Sequence, residues 1–272
     1  MNDSMEEVFK ECVISLRPYL DQLVIAGGWV TYVYRKKYGI YSIQESLFTR
    51  DFDTIVPTTG LVETELSLND SILESGFEYE FASLGSPPVV KYIKRLTEYG
   101  RAEIEFIADA AKGEEKVKTI GSVNAQALKY VGLLSEEPWK VELEEIGCEI
   151  EGFVLVPKPA NYIFHKLLIA PKRRHSEKVA KDLYYVFYTF ASFEDWRQEI
   201  IEGLQVLSCN YPVWRDRICE YVKENFSDID SKGINAIVQQ KPQMAFSSMT
   251  EDQFRQYALF LFRDIAACLR NG

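Results

Sequence analysis

A short apolar run that ends in a glycine pair constrains this chain more than any other feature. Residues 22–28, QLVIAGG, have the length of a strand, and WVTYVYRKKYG follows directly with no helix breaker before Gly39. A strand that turns through Gly27 and Gly28 into a helix lets the backbone approach a ligand closely, and the free N–H groups of the helix start attract phosphate. A glycine pair after a strand is more often a plain turn, so the phosphate-binding interpretation depends on its surroundings.

Two aspartates follow on the next predicted strand. RDFDTIVP, residues 50–57, has alternating and β-branched residues and ends at Pro57, which predicts a strand. Because side chains alternate along a strand, Asp51 and Asp53 project from one face, about 7 Å apart. They repel each other unless a cation lies between them, and Mg²⁺ takes oxygen ligands of this kind together with substrate phosphates. The competing interpretation is a solvated face, since D-x-D is common in acidic proteins.

A later segment repeats this geometry. In AEIEFIAD, residues 102–109, Glu103 and Glu105 share one face of a predicted strand, and the apolar residues between them share the other. If this strand lies beside RDFDTIVP, one glutamate completes a three-carboxylate site for two metal ions, which clamp the attacking and leaving oxygens of a phosphoryl displacement. We expect Glu105 to be that ligand and Glu103 to be a solvated strand residue.

The remaining patterns predict an α+β protein. Apolar spacing indicates an opening helix, and FEYEFASL, PVVKYIKRL and AEIEFIAD indicate a meander of strands. VNAQALKYVGLL, residues 123–134, predicts a helix, and VELEEIGCEIEGFVLVP predicts further strands. From Pro159 onward the pattern is helical. We therefore expect a mixed β-sheet with helices in residues 1–120 and a mainly helical C-terminal domain in residues 121–272.

Composition and charge argue against several classes of protein. The 272 residues are 47% hydrophobic and 26% charged, as in an ordinary globular protein. The acidic start lacks the features of a secretory signal and no apolar run is long enough to cross a bilayer, so we expect a cytoplasmic protein with no membrane partner. The five scattered cysteines have no C-x-x-C spacing, which favours reduced thiols. A net charge of -10 repels nucleic acid on average, so a polyanion needs a local basic patch.

A candidate for such a patch is HKLLIAPKRRHSEKVAKD, residues 165–182. Its lysines and arginines outnumber its two acidic residues, Glu177 and Asp182. For any single lysine the simpler interpretation is a solvated helix face. As a group they mildly favour an RNA end as a partner, although neutralisation of a triphosphate alone accounts for several of these charges.

Taken in order, these motifs resemble a known fold family. The glycine pair at a helix start, T-x-D-x-D on a strand and an acidic residue between apolar ones on a later strand are similar to the nucleotidyltransferase fold of the DNA polymerase beta superfamily. The closer resemblance is to AbiEii-like toxins and related bacterial nucleotidyltransferases. VLVPKPANYIFHKLLIA and RRHSEKVAKDLYYV follow a pattern of the same family, so the resemblance spans residues 23–190.

The resemblance implies an enzyme that moves a nucleoside monophosphate from an NTP to an acceptor hydroxyl and releases pyrophosphate, with Mg²⁺ or Mn²⁺ as cofactor. The resemblance assigns catalysis and metal binding to Asp51, Asp53 and Glu105. It assigns nucleotide binding to Gly27, Gly28, Thr49, Lys166, Lys178, Lys181 and Asp182. Asp182 has a second interpretation as a structural partner of Arg173 or Arg174. The acceptor is open between tRNA or another RNA, a protein and a small molecule.

One departure from the family concerns the residue after the glycine pair. The superfamily often has serine after its first glycine, whereas here Gly28 is followed by Trp29, and Thr31 or Thr49 is the candidate substitute hydroxyl. Since the superfamily includes members that have lost catalysis, the alternative function is a silent nucleotide-binding or protein-interaction module. Residues 193–272 offer a helical surface for a partner protein, although the apolar stripe in FRQYALFLF is more typical of core.

Overall fold

The computed structural model describes residues 2–38, 47, 49–62, 64–82, 87–96, 100–110, 116–192, 196–242 and 245–272. They form two compact units. The first contains the described residues of 1–38 and 48–157, and the second contains Leu47 and the described residues of 158–272. The division into domains at residue 120 stays a prediction. None of the described helices is long and apolar enough to span a lipid bilayer.

A mixed sheet forms the centre of the first unit. Its described strands are β1 (Val24–Ile25), β2 (Asp51–Ile55), β3 (Glu78–Phe81), β4 (Val90–Leu96), β5 (Gly100–Asp109), β6 (Val117–Ile120), β7 (Val123–Leu128), β8 (Trp139–Glu142) and β9 (Phe153–Val156). The order across the sheet is β3-β4-β5-β2-β1-β9-β8, and β7 pairs with both β5 and β6. The pairs β2·β5, β1·β9 and β5·β7 are parallel, and the other pairs are antiparallel.

The described α-helices divide between the two units. The first unit contains α1 (Asn2–Leu16), α2 (Trp29–Tyr38) and α3 (Leu68–Glu74). The second contains α4 (Pro159–Ile169), α5 (Ser176–Ser192), α6 (Arg197–Asn210), α7 (Pro212–Asn225), α8 (Lys232–Gln240) and α9 (Glu251–Arg270). The predicted α+β class, with a mixed sheet followed by a helical C-terminal part, is confirmed.

An aromatic cluster fixes which face of β2 is buried. Phe52 lies between the two aspartates and is fully buried, with ring centroids 5.9 Å from Phe9 of α1 and 5.6 Å from Trp29 of α2. Burying a phenylalanine side chain contributes about 2–3 kcal/mol. Because strand side chains alternate, this burial places Asp51 and Asp53 on the face opposite the cluster.

The helix predicted for residues 123–134 is wrong. The structure has strand β7 there, followed by a short 3-10 helix at Val131–Ser135. Val123 and Ala125 are buried two residues apart, which is the period of a strand. β7 pairs in parallel with β5 and antiparallel with β6, so long-range backbone hydrogen bonds override the helical propensity of its alanines and leucine.

The second unit packs around α5, whose residues are nearly all buried from Leu183 to Ser192. Phe187 forms an aromatic cluster with Phe254 and Phe246, with ring centroids at 5.1 and 5.2 Å. The stripe in FRQYALFLF is mostly core, as expected, since Phe254, Leu261 and Phe262 are buried, while Phe260 is 59% exposed.

Candidate metal and nucleotide site

The acidic residues of β2 and β5 lie on one face of the sheet. The two strands are parallel neighbours, with Asp51 opposite Glu103 and Asp53 opposite Glu105. Residues in register on neighbouring strands point to the same face, with about 4.8 Å between the strands. The condition set by the sequence, that these two segments lie side by side, is therefore met.

Three of these carboxylates meet closely enough to hold one ion. Among the residues that the structure describes, Asp51, Glu103 and Glu105 form such a group, with one oxygen from each within 4.8 Å of the others. Asp51 and Glu105 are half-buried, whereas Glu103 is 2% exposed. The expectation that Glu103 is solvated is wrong: β5 is an interior strand, so Glu103 has Asp51 of β2 and Ile93 of β4 directly beside it, and the side chains of Lys91 and Arg101 contact its carboxylate.

Two basic side chains contact this carboxylate group. Arg101 Nε lies 2.5 Å from Glu103 Oε1, and Lys91 Nζ lies 3.6 Å from Glu103 Oε2. Lys91 also pairs with Glu105, its direct neighbour across β4 and β5. Burial by itself lowers the pKa of Lys91, but its hydrogen bond to Glu105 and the charges of Glu105, Asp51 and Glu103 outweigh burial and raise the pKa above its usual value.

Asp53 lies against the glycine turn. Its backbone oxygen accepts a hydrogen bond of 2.8 Å from Ala26 N, as β1 leads into the turn. Gly27 has φ +63, and a Cβ placed on it would lie 2.1 Å from Asp53 Oδ2. Only glycine satisfies both the backbone conformation and this close approach. The assignment of Asp53 to the metal site stays a prediction.

Helix α2 begins directly after the glycine pair. Trp29 is fully buried in the aromatic cluster, so the bulky residue that follows the glycine pair belongs to the core. Thr31 is also buried, and its hydroxyl donates a 2.8 Å hydrogen bond to Gly28 O. Thr49 is half-buried two residues before Asp51, and its role in nucleotide binding stays a prediction.

In the second unit, Lys166 of α4 and Asp182 of α5 form a buried ion pair. Lys166 Nζ donates to Asp182 Oδ1 at 2.6 Å and lies over the rings of Tyr162 and Tyr185, at 5.4 and 5.2 Å from their centroids. Arg173 Nε donates to Asp182 Oδ2 at 2.8 Å. Burial alone would raise the pKa of Asp182, but the charges and hydrogen bonds of these two cations hold it below its usual value.

The other basic residues predicted to bind nucleotide lie on the same helix as Asp182. Lys178 is exposed in the first turns of α5, and Lys181 is half-buried one turn later. Lys172 and Arg174 are exposed just before the helix, so the predicted basic segment does present charged side chains to solvent. Contact of these residues with a nucleotide stays a prediction.

The sequence analysis missed Lys91 and Arg101 as neighbours of the carboxylates. A signal for Lys91 was present, since PVVKYIKRL was expected to be the middle strand of a meander that ends in the glutamate strand. An antiparallel register places a lysine of that strand beside a glutamate of the next. Choosing Lys91 rather than Lys94 requires the register itself, which the structure supplies.

Comparison with known proteins identifies a family for this chain. A family model described as a nucleotidyltransferase matches residues 17–202, which include the glycine turn, the carboxylate strands and the Lys166–Asp182 pair. Searches of curated proteins and of solved structures gave no match. Since the matched residues make up well over half of the chain, this protein belongs to that nucleotidyltransferase family.

Proposed function

We propose that this protein is a metal-dependent nucleotidyltransferase that moves a nucleoside monophosphate from an NTP to an acceptor hydroxyl and releases pyrophosphate. The observation that carries the proposal is that Asp51 and Asp53 share one face of the sheet with Glu105 of the neighbouring strand, where oxygens of Asp51, Glu103 and Glu105 lie within 4.8 Å of one another. The membership of the chain in a nucleotidyltransferase family supports it.

The donor atoms fit a hard divalent cation. Carboxylate oxygens are the ligands that Mg²⁺ and Mn²⁺ take, and a nucleotide-binding Mg²⁺ commonly uses one or two carboxylates plus phosphates and water. We assign Asp51, Asp53 and Glu105 as ligands, because Glu103 is buried and both of its oxygens contact basic groups. When bound, the metal polarises the transferred phosphoryl group and neutralises the charge that develops on the leaving pyrophosphate.

The chain itself would bind and orient the phosphates. Gly27 and Gly28 precede the first turn of α2, whose free N–H groups and dipole favour an anion. In the second unit, the exposed Lys178 and the half-buried Lys181 are the proposed phosphate contacts, whereas Lys166 is buried in its pair with Asp182 and would have to leave that pair to contact a phosphate. Asp182 would position Lys166 rather than contact the nucleotide, since it accepts a hydrogen bond from that side chain.

The direct test is transfer of label from nucleotide. The protein is incubated with each α-³²P-NTP, Mg²⁺ and total cell extract, and the macromolecule that gains label is identified. We expect Asp51→Asn to abolish labelling because it removes a ligand charge. Glu142→Gln is the control, since Glu142 is an exposed carboxylate on β8 outside the cluster. Equal labelling by wild type and Asp51→Asn would reject the proposal.

A thermal shift separates turnover from silent binding. NTP is added with and without Mg²⁺, and product formation is followed in parallel. A ligand that binds only the folded protein raises the midpoint temperature of thermal unfolding. Product together with a metal-dependent rise supports the transferase. A metal-dependent rise with no product for any NTP or acceptor would instead indicate a silent nucleotide-binding module.

We further propose that the acceptor is an RNA end. Lys172, Arg174 and Lys178 are exposed at the start of α5, and such a group attracts a phosphate backbone despite the net charge of -10. Label that ribonuclease removes and protease does not remove would support this acceptor. We also propose an AbiEii-like toxin activity, which is tested in cells: expression of wild type should arrest growth and expression of Asp51→Asn should not. Co-purification with the wild-type chain then tests for a partner protein on the C-terminal helices.

A further inference from the structure

The position of Lys91 has a consequence for metal binding. Lys91 lies on β4 directly opposite Glu105 of β5, so both side chains stand on the carboxylate face. Its ammonium group contacts Glu105 and lies 3.6 Å from Glu103 Oε2. A cation of the protein therefore contacts two members of the group whose ligand oxygens lie within 4.8 Å of one another.

We propose that Lys91 is a built-in counter-ion that competes with the divalent metal for Glu105 and must move away before the metal binds that carboxylate. This inference rests on the proposed function, because it concerns the same carboxylates. An ammonium group and a metal ion attract the same oxygen lone pairs and repel each other, so they do not share one short contact to Glu105. Metal binding is then an exchange of one cation for another.

The strand order provides a second partner for the displaced side chain. On the other side of β4, Glu80 of β3 lies directly opposite Lys91 and is exposed. Lys91 is thus flanked by Glu105 towards the interior of the sheet and by Glu80 towards its edge. Its side chain is 27% exposed, so rotation towards Glu80 takes it into solvent rather than into packed core.

Arg101 has a different role, although it also contacts the group. Among the residues that the structure describes, it pairs with Glu103, and its side chain is 46% exposed, so it compensates the charge of the buried glutamate. Glu103 therefore keeps a cationic partner when Lys91 leaves, and the exchange does not leave a buried carboxylate uncompensated.

The test compares three lysine variants in Mn²⁺ binding, measured by the electron paramagnetic resonance signal of free Mn²⁺. We expect Lys91→Gln to bind Mn²⁺ about tenfold more tightly than wild type, since the competing cation is gone. Lys91→Arg keeps the charge and should bind as wild type does. Lys94→Gln is the matched control, because Lys94 lies on the same strand with 26% of its side chain exposed and pairs with Glu11, outside the cluster.

Thermal midpoints provide a second readout that is independent of turnover. In EDTA, Lys91→Gln should have a lower thermal midpoint than Lys94→Gln, because its carboxylates repel one another. Saturating Mn²⁺ should remove this difference between the two midpoints. Lys91→Gln that binds Mn²⁺ no more tightly than wild type would overturn the inference. If Lys91→Gln does not fold, the Mn²⁺ affinity of Lys91→Arg decides. An affinity tenfold higher than that of wild type would overturn the inference, and an affinity equal to that of wild type would support it.

A further variant separates this inference from the proposed function. Asp51→Asn should lose Mn²⁺ binding whether or not Lys91 competes. If Asp51→Asn loses binding while Lys91→Gln equals wild type, only the role of Lys91 is rejected. If neither wild type nor Lys91→Gln binds Mn²⁺, the metal site and the role of Lys91 are rejected together.

Discussion

Replacement of Gly27 by alanine tests the link between the glycine turn and the carboxylate strand. Two costs arise at this position. Gly27 has φ +63, where an L-residue costs about 1–2 kcal/mol. The new Cβ would lie 2.1 Å from Asp53 Oδ2, so that carboxylate must leave its rotamer, at a further cost of about 0.5–1.5 kcal/mol. We expect Gly27→Ala to reduce the free energy of unfolding by about 2–3 kcal/mol.

Gly147→Ala is the matched control for backbone strain. Gly147 has φ +76, and the nearest atom to an added Cβ is Glu6 Oε1 at 3.9 Å, an ordinary contact. Both changes also restrict the unfolded chain equally, so that contribution cancels in the comparison. The difference between the two variants therefore isolates the contact with Asp53, which we expect to contribute about 1 kcal/mol.

Urea denaturation gives the two free energies of unfolding, and a thermal shift with Mg²⁺ and NTP gives the effect on binding. Gly27→Ala should lose most of the nucleotide-dependent shift, because Asp53 is displaced, whereas Gly147→Ala should keep it. Equal destabilisation of the two variants would show that Asp53 does not restrict Gly27. A full nucleotide shift in a destabilised Gly27→Ala would show that the turn is structural and does not contribute to binding.

Three further changes test the second unit. Asp182→Asn should cost at least about 3 kcal/mol in thermal denaturation because it leaves the buried Lys166 without its carboxylate, and adding Lys166→Met should recover part of that loss. His165→Gln should flatten the pH dependence of stability between pH 7 and 5. Burial, and then the charge of Lys166, lower the pKa of His165 from 6.5 to about 3, so below pH 6.5 the unfolded chain takes up a proton that the folded chain does not, and wild type should lose about 2 kcal/mol over this range. Thr250→Ala should cost about 1 kcal/mol in urea denaturation, because Thr250 and Gln253 form a capping box at the start of α9; an unchanged midpoint would contradict this.

Local pattern was sufficient to predict that Asp51 and Asp53 share one face of the sheet, the face of the candidate site. Asp51 and Asp53 flank an aromatic residue, and the burial of Phe52 against α1 and α2 decides which way the strand faces. The glycine turn was predictable for a similar reason, since a strand, a glycine pair and a helix follow one another within a few residues. In both cases the deciding pattern is local. Side-chain alternation along a strand, and the order of strand, glycine pair and helix, can be read directly from the sequence.

The surroundings of the carboxylates were not predictable in the same way. Glu103 alternates with apolar residues as a solvated strand residue does, and its burial depends on side chains that β2, β4 and Arg101 place beside it. The contact of Lys91 with Glu105 depends on the register of a meander, and a shift of one residue would point the lysine to the other face. The error at residues 123–134 has a related cause, because pairing with β5 and β6 decides the conformation of β7.

The charge balance on the carboxylate face indicates how nucleotide and metal bind. Asp51, Glu103 and Glu105 are accompanied by Lys91 and Arg101, which leaves one net negative charge before Asp53 is counted. Two unit charges 4 Å apart near a protein surface interact with about 4 kcal/mol, so a triphosphate without metal would be repelled from this face. When the Lys91 side chain moves away, the carboxylate face becomes more negative. A divalent cation is then needed to compensate the positive charge that has left. We therefore expect nucleotide to bind as its metal complex, with the exchange at Glu105 as the step that couples the two.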